Sequence, residues 1–406
     1  MLLDKFERFA SALSRSMRAS EVRDLLSVIK RRGDVISLAG GIPDPSLFPK
    51  RELAEIARKV IEERGDVALQ YGETKGELEA RRALVDLMQR WRGFRAGEED
   101  VVITTGSQQG LDLLARTLLD PGDVVITENP TYLAALGAFR AAGAHVVGIR
   151  MDSQGMRTDE LEAALRRLRE EGRKVKFIYV IPVAQNPAGT TMSRDRKRHL
   201  LELAEQFDVL VVEDDPYSYL VYDQVDVASL RSMDDGRVLY MSTVSKILSP
   251  GLRVGWLVSP EDLSRRFELV KQYLDLHSPT LNQYIVAEAI RSGLIEKVVE
   301  KAVPRYKGKR DVMVESLEEE FGEGARFVRP VGGLFVMAYV DEGFDAGKML
   351  GTAVEKYGVA YVPGASFHTD GSGRNSMRLN FSYPSEGQIR EGIARLARLV
   401  KSSTST

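Results

Sequence analysis

The chain contains no cysteine and only four histidines, His145, His199, His277 and His368, in 406 residues. The missing thiols exclude disulfides, thiolate nucleophiles, iron–sulfur clusters and cysteine zinc sites, and no histidine pair has the HExxH spacing of a helical zinc site. No apolar stretch approaches the ~18 residues that a membrane helix needs. The start, Met1 to Arg8, mixes both charges and lacks the pattern of a leader. The expectation is therefore a soluble, cytoplasmic protein with no membrane partner. An excess of one charge is missing too: 57 Lys plus Arg stand against 59 Asp plus Glu, a formal net charge of −2. That balance argues against nucleic acid or an anionic membrane as the main partner. The length suffices for two or three domains with cores that need no staples. An enzyme without thiols and with little imidazole is expected to import its chemistry in a cofactor.

What is present is a regular alternation. Short β-branched runs recur at Val101–Thr105, Val124–Thr127, His145–Ile149, Lys176–Ile181, Val209–Glu213 and Val238–Met241. The segments between them carry apolar residues at helical spacing, such as Leu161, Leu165 and Leu168. This is the βαβ pattern of a mostly parallel sheet covered by helices, which binds ligands at the carboxyl ends of its strands. After Tyr273 the pattern changes to long helices, about Asn282–Arg291 and Pro304–Phe321. Strands at Arg326–Arg329 and Leu334–Val340, a helix near Ala346–Tyr357, a strand at Met377–Ser382 and a final helix from Ser385 follow, resembling a separate α+β domain. Gly40-Gly41-Ile42-Pro43-Asp44-Pro45 reads as a turn-rich strap. The expected division is an N-terminal helix and strap over 1–45, a large domain over 46–285 and a small domain over 286–406. There is no internal repeat.

The unusual residues follow the strands. Val101–Thr105 runs into Gly106-Ser107-Gln108 and a helix, and such a turn offers free N–H groups and a dipole to a phosphate. By itself it reads first as an ordinary serine N-cap, and it is neither a Walker A loop nor GxGxxG. Val238–Met241 leads to Ser242-Thr243-Val244-Ser245-Lys246, with Arg253 seven residues on. A lysine so placed can be a desolvated nucleophilic amine or one solvated lysine among many. Glu213, Asp214 and Asp215 could form a metal site, an acid/base pair or solvated loop charges. With no histidine nearby, one carboxylate under a cationic ring nitrogen fits better, and no metal is expected. Gln185-Asn186-Pro187-Ala188-Gly189 alone is a commonplace turn.

In this order the pieces resemble the fold-type-I pyridoxal-phosphate aminotransferases of class I/II. The signature is Asn186-Pro-x-Gly, Asp214-x-x-Tyr217, Ser245-Lys246 and Arg253, and the resemblance runs from Ser37-Leu38-Ala39-Gly40-Gly41 to Ser376-Met377-Arg378-Leu379-Asn380. Arg18 to Arg23, Leu69-Gln70-Tyr71-Gly72, Val212 to Asp215 and Leu248 to Arg253 are similar to the 2-aminoadipate/kynurenine aminotransferase branch. The resemblance implies an α/β fold, with a large domain built on a mostly parallel seven-stranded sheet and a smaller α+β domain made from the C-terminus and the strap. It implies pyridoxal 5′-phosphate as cofactor. Lys246 would be its covalent anchor and the proton carrier, Asp214 the partner of the ring nitrogen, and Asn186 and Tyr217 partners of the phenolic oxygen, with Tyr132 stacked on the ring. The phosphate would lie on the Gly106-Ser107-Gln108 turn with Thr243, Ser245 and Arg253, and Tyr71 would reach a neighbouring subunit's phosphate in a homodimer with shared active sites. For the substrate, Arg378 would clamp the α-carboxylate beside Asn186, Gly40 would let the strap close over it, and Arg23 would meet its distal group. The implied reaction is ping-pong transfer of an amino group from an L-amino acid (2-aminoadipate, aromatic or branched-chain) to a 2-oxo acid such as 2-oxoglutarate. Another pyridoxal-phosphate reaction, β-lysis or decarboxylation, could use the same Lys246 and Asp214. A non-enzymatic regulator would need a DNA-binding domain, and the ~45 residues around the strap show no helix-turn-helix pattern.

Overall fold

A computed structural model describes residues 7–17 and 34–404. The core is a twisted sheet of β2 (Val101–Thr104), β3 (Val124–Asn129), β4 (His145–Asp152), β5 (Gly155–Met156), β6 (Val175–Val180), β7 (Leu210–Asp214), β8 (Val238–Thr243) and β9 (Gly255–Val258), in the order β2-β9-β8-β7-β6-β3-β4-β5. Seven strands span it as expected, and the two-residue β5 adds an antiparallel hairpin edge to β4. From β8 to β4 all neighbours are parallel, whereas β9 runs antiparallel to both β2 and β8. Sequence periodicity did not single out β9, because its four residues follow a turn and are all buried, leaving no alternation to detect.

The strands are buried on both faces because helices cover both sides. Helix Thr158–Glu170 shows how: Leu161, Ala164, Leu165 and Leu168 form its buried stripe, Asp159 and Glu160 open its first turn and Arg167 and Arg169 close its last. Those charges complement the helix dipole. Helix Leu78–Arg92 buries Leu84, Leu87 and Met88 and ends at Gly93 with φ 70°, the left-handed conformation that stops a helix.

The C-terminal unit holds a three-stranded antiparallel sheet in which β13 (Ser376–Asn380) lies between β10 (Phe335–Tyr339) and β12 (Val362–Pro363). Helices Leu294–Phe321 and Glu386–Thr404 pack together beside it. The strap strand β1 (Ile36–Ser37) pairs in parallel with β11 (Val359–Ala360), so the N-terminal strap joins the C-terminal unit. Two sequence-based expectations shift. Arg326–Arg329 is not a strand; only Arg326 bridges to Tyr339. The long helix begins at Leu294 and runs through Pro304 rather than starting there. Positions 285 and 286 lie within helix Thr280–Arg291, which packs on helices Lys50–Ala68 and Leu78–Arg92. Among the described residues no helix is long and apolar enough to cross a membrane.

Candidate active site

The carboxyl ends of β2, β6, β7 and β8 open on one cavity of about 360 Å³, closed from the other side by the strap and β13. It is lined by Ser107, Gln108, Tyr132, Asn186, Asp214, Tyr217, Thr243, Ser245, Lys246, Arg253 and Arg378. Eleven residues from separate positions in the chain thus meet in one place.

One end of the cavity is built for an anion. Gly106 has φ 77°, which turns the chain from β2 into helix Ser107–Leu118, and a Cβ there would collide with the Arg253 guanidinium. Gly255 lets β9 pass beneath, since a Cβ there would come within 2.9 Å of the Ser107 nitrogen. The first N–H groups of that helix have no carbonyl four residues back to bond, and Ser107 Oγ is buried without a partner among the described residues. Arg253 donates to the carbonyls of Thr105 at 3.1 Å and Pro250 at 3.4 Å. Thr243 Oγ1 donates to the Val254 carbonyl at 2.8 Å and lies 2.9 Å from Ser245 Oγ. Thr243 therefore has its proton committed to the backbone and steadies Ser245.

At the other end stands Asp214. Its Oδ2 accepts a hydrogen bond from the Tyr179 hydroxyl at 2.6 Å, while its Oδ1 is buried with no partner among the described residues. Burial raises its carboxyl to about 7 against the pull of that hydrogen bond, with Asp215 adding to the rise. The strand pleat separates the three acids. Glu213 and Asp215 face the opposite side of β7, where Arg92 places its Nε 2.6 Å from Asp215 and an NH2 3.6 Å from Glu213. Tyr240 donates to Asp215 at 2.9 Å and Ser229 to Glu213 at 2.7 Å. A run that read as a metal site or acid pair is one site carboxylate and two structural ones.

Lys246 follows β8 and donates to the Gly41 carbonyl at 2.9 Å. Burial lowers its amine to about 8, assisted by the positive charges of Arg378 and Arg253. Arg378 is only 3% exposed and sits on the central strand of its sheet, sandwiched between Phe335 and Phe367 at 4.3 and 5.0 Å from their ring centres. It donates to Asn186 Oδ1 at 3.1 Å and the Ala39 carbonyl at 3.2 Å, and its Nε has no partner among the described residues. No carboxylate of the described residues pairs with it, and burial lowers its guanidinium to about 10. An uncompensated buried guanidinium on a cavity wall is an anion receptor. Asn186 Nδ2 donates to the Tyr217 hydroxyl at 3.5 Å, and burial keeps that phenol protonated, leaving its own proton to donate.

Two expected residues lie elsewhere. A Cβ on Gly40 would meet only Ile42, at 3.7 Å, whereas one on Gly41 would press on the Phe335 ring at 3.2 Å and approach Arg378 at 3.8 Å. Gly41, and not Gly40, is the cavity's glycine. Tyr71 is 78% exposed, outside the cavity, its ring edge-on to His277. Arg23 lies outside the described residues. Sequence reasoning missed Ile42, Leu133, Ile181 and Phe335, which line the cavity with apolar surface. It also missed Gln185, whose amide donates to Glu128 at 3.0 Å and to the Pro130 carbonyl at 2.8 Å and so ties the Asn186 turn to the segment carrying Tyr132. Apolar residues have no chemical signature in a sequence, but Gln185, adjacent to Asn186, was within reach.

The arrangement offers an anion cradle at one end, an unused carboxylate oxygen at the other, a partly neutral amine, and a second anion receptor. Residues 34–396 match the family model of aminotransferases class I and II. The chain is 44% identical over 397 residues to aromatic-amino-acid aminotransferase 1 of Thermococcus litoralis, covering 98% of this chain and 95% of that protein. It is 37% identical over 399 residues to the 2-aminoadipate transaminase of Thermus thermophilus, covering 97% of each. The kynurenine aminotransferase of Pyrococcus horikoshii, solved in complex with PMP, KYN and KYA, superposes with a TM-score of 0.94 at 43% identity, over 99% of each chain.

Proposed function

Since the chain belongs to the class I and II aminotransferases, a family of pyridoxal-phosphate-dependent transferases, we propose that the 360 Å³ cavity is its catalytic site and that Lys246 is the residue through which the amino group is moved. The observation that carries this reading is the pair of unsatisfied groups at opposite ends: Ser107 Oγ beside Arg253, and Asp214 Oδ1 at the base. A dianion and a ring N–H complete these two ends, and pyridoxal phosphate has both.

When bound, the cofactor supplies an electron sink for the negative charge that develops on the substrate Cα. Ser107, Gln108, Ser245 and Arg253 would bind its phosphate, and Asp214 Oδ1 would hold the proton on its ring nitrogen by a charge-assisted hydrogen bond. Tyr217 and Asn186 would donate to the phenolic oxygen, and Tyr132 would cover the ring. Arg378 orients the substrate α-carboxylate. Lys246, with its amine at about 8, is neutral often enough to take the proton from the substrate Cα, and its tether would keep that proton in reach for its return.

The apolar wall of Ile42, Leu133, Ile181 and Phe335 supports aromatic or branched-chain amino donors, with 2-aminoadipate as a further donor if Arg23 meets its distal carboxylate. 2-Oxoglutarate is the acceptor in this reading, the mechanism is ping-pong and the compartment is the cytoplasm. A homodimer is supported by the exposed large apolar side chains of Leu69, Tyr71, Tyr273 and Leu276, and in it Tyr71 would serve a partner's site. The test is a half-reaction: cofactor-loaded protein is mixed with one L-amino acid and no oxo acid. One equivalent of oxo acid per site, then arrest until 2-oxoglutarate is added, is expected. Continued product release without an acceptor would mean lysis or decarboxylation instead.

A further inference from the structure

The strap meets the catalytic lysine through a single carbonyl, yet almost all its anchors lie on the other side of the cavity. Among the described residues, Ile36 and Leu38 donate to the carbonyls of Gly358 and Ala360, and the Leu38 carbonyl accepts from Asn380. The Ile42 carbonyl accepts from Ser382 Oγ at 2.8 Å. The Asp44 backbone N–H donates to the Tyr306 hydroxyl at 3.0 Å. All these partners belong to the C-terminal unit. The exception is Gly41, whose carbonyl accepts from Lys246.

One residue joins these anchors. Lys309, on helix Leu294–Phe321, is fully buried and donates to Asp44 Oδ2 at 2.8 Å and to the Ser382 carbonyl at 2.7 Å. Arg305 is a more distant and half-exposed second cation, 3.7 Å from the same Asp44 oxygen. Asp44 lies three residues beyond Gly41, and Ser382 four residues beyond Arg378. Asn380, Ser382 and Arg378 also bond the Leu38, Ile42 and Ala39 carbonyls directly, and to these neutral-acceptor ties the amine of Lys309 adds the charged, buried bridge that engages the strap's Asp44 side chain and the Ser382 carbonyl together. An ion pair this deep is poor value as a stabiliser, since desolvation consumes most of its attraction.

We propose that Lys309 is a positioning residue of the reaction: by bridging Asp44 and the Ser382 carbonyl it holds the strap and β13 in one register, so that the Gly41 carbonyl faces Lys246 while Arg378 faces the substrate carboxylate. The inference rests on the assignment of Arg378 given above. It makes Lys309 act on substrate geometry from outside the cavity, with no effect on the cofactor end, which is built from the large unit.

The experiment compares Lys309→Met, Lys309→Arg, Asp44→Asn and the double variant Asp44→Leu/Lys309→Met in the holoenzyme, with Arg378→Lys alongside. Lys309→Met is expected to raise KM for both the amino acid and the oxo acid by about tenfold, the loss that follows when a charged hydrogen bond no longer orients a group. The cofactor Kd of the apo-protein should stay within about twofold. Lys309→Arg should recover part of the KM, and Asp44→Asn, which keeps an acceptor and its shape, should give a smaller rise of about threefold. The double variant separates positioning from stability. It removes both buried charges, so thermal stability should largely return while KM stays raised. A KM that returns with the stability, or a Lys309→Met enzyme with unchanged KM, overturns the proposal. If Arg378→Lys also leaves KM unchanged, the carboxylate assignment falls and takes the proposal with it. If only Arg378→Lys raises KM, the assignment stands and the proposal alone fails.

Discussion

Replacing Asp214 by asparagine should make the empty protein more stable and the loaded protein weaker. Asp214 is buried, with one oxygen bonded to Tyr179 and the other to nothing among the described residues. Burial raises its carboxyl from 3.8 to about 7. In the unfolded chain it loses its proton near pH 4, in the folded empty protein only near pH 7. Between those values the folded state holds a proton that the unfolded state has released, so wild-type stability falls as pH rises through this window. At ~1.36 kcal/mol per pH unit the penalty reaches at most about 4 kcal/mol above pH 7. Asparagine is isosteric, still accepts from Tyr179 and carries no charge to bury. The apo Asp214→Asn protein should therefore exceed the apo wild type by a few kcal/mol at pH 8 and match it at pH 4. Cofactor binding should move the other way. Exchanging a charge-assisted hydrogen bond for a neutral one forfeits ~1–2 kcal/mol, or about 5–30-fold in Kd. Urea denaturation of both apo-proteins from pH 4 to 8, with cofactor titration at pH 8, checks both halves. An apo variant less stable at pH 8, or a stability difference that does not vary with pH, would refute the reasoning.

Three further outcomes follow from the same cavity. Lys246→Ala should abolish turnover while pyridoxal phosphate still binds at the anion cradle; measurable turnover would remove Lys246 from the mechanism. Covalent capture of the cofactor by apo-protein, followed by absorbance, should accelerate with rising pH to a plateau reached just above pH 8, because the Lys246 amine is lowered to about 8. A capture rate still climbing towards pH 10.5 would mean an ordinary lysine. Gly106→Ala should weaken inorganic phosphate binding to the apo-protein by tenfold or more, an estimate of about 1.4 kcal/mol for a residue at φ 77° whose Cβ meets Arg253. Unchanged phosphate affinity would place the anion elsewhere.

The sequence made the sheet and its ligand-bearing edge legible because buried parallel strands are short apolar runs and their ends carry the polar exceptions. Val124–Asn129 and Val238–Thr243 were visible in that way, and Asn186, Asp214, Tyr217, Lys246 and Arg253 were found at or after strand ends. What stayed hidden depends on pleat and distance. The chain gives Glu213, Asp214 and Asp215 in a row, and only the alternation of side chains across β7 shows that one faces the cavity and two face Arg92. Gly40 and Gly41 are likewise indistinguishable as letters; the Phe335 ring, almost 300 positions away, decides between them. Lys309 carried no signal at all, since a lysine inside a helical pattern reads as a solvated charge until its neighbours are known.

The arrangement on β7 also protects the strand against slipping. A shift of one position would turn Glu213 and Asp215 into the cavity and leave Asp214 alone to face Arg92. Hydrophobic alternation cannot prevent this, because the strand is buried on both faces and Val211 and Val212 suit either. Electrostatics can: the slipped strand would crowd two carboxylates into a pocket with room for one and strip the guanidinium of a partner. The acid triplet thus works as an alignment code, in which the two outer letters specify where the middle one must stand.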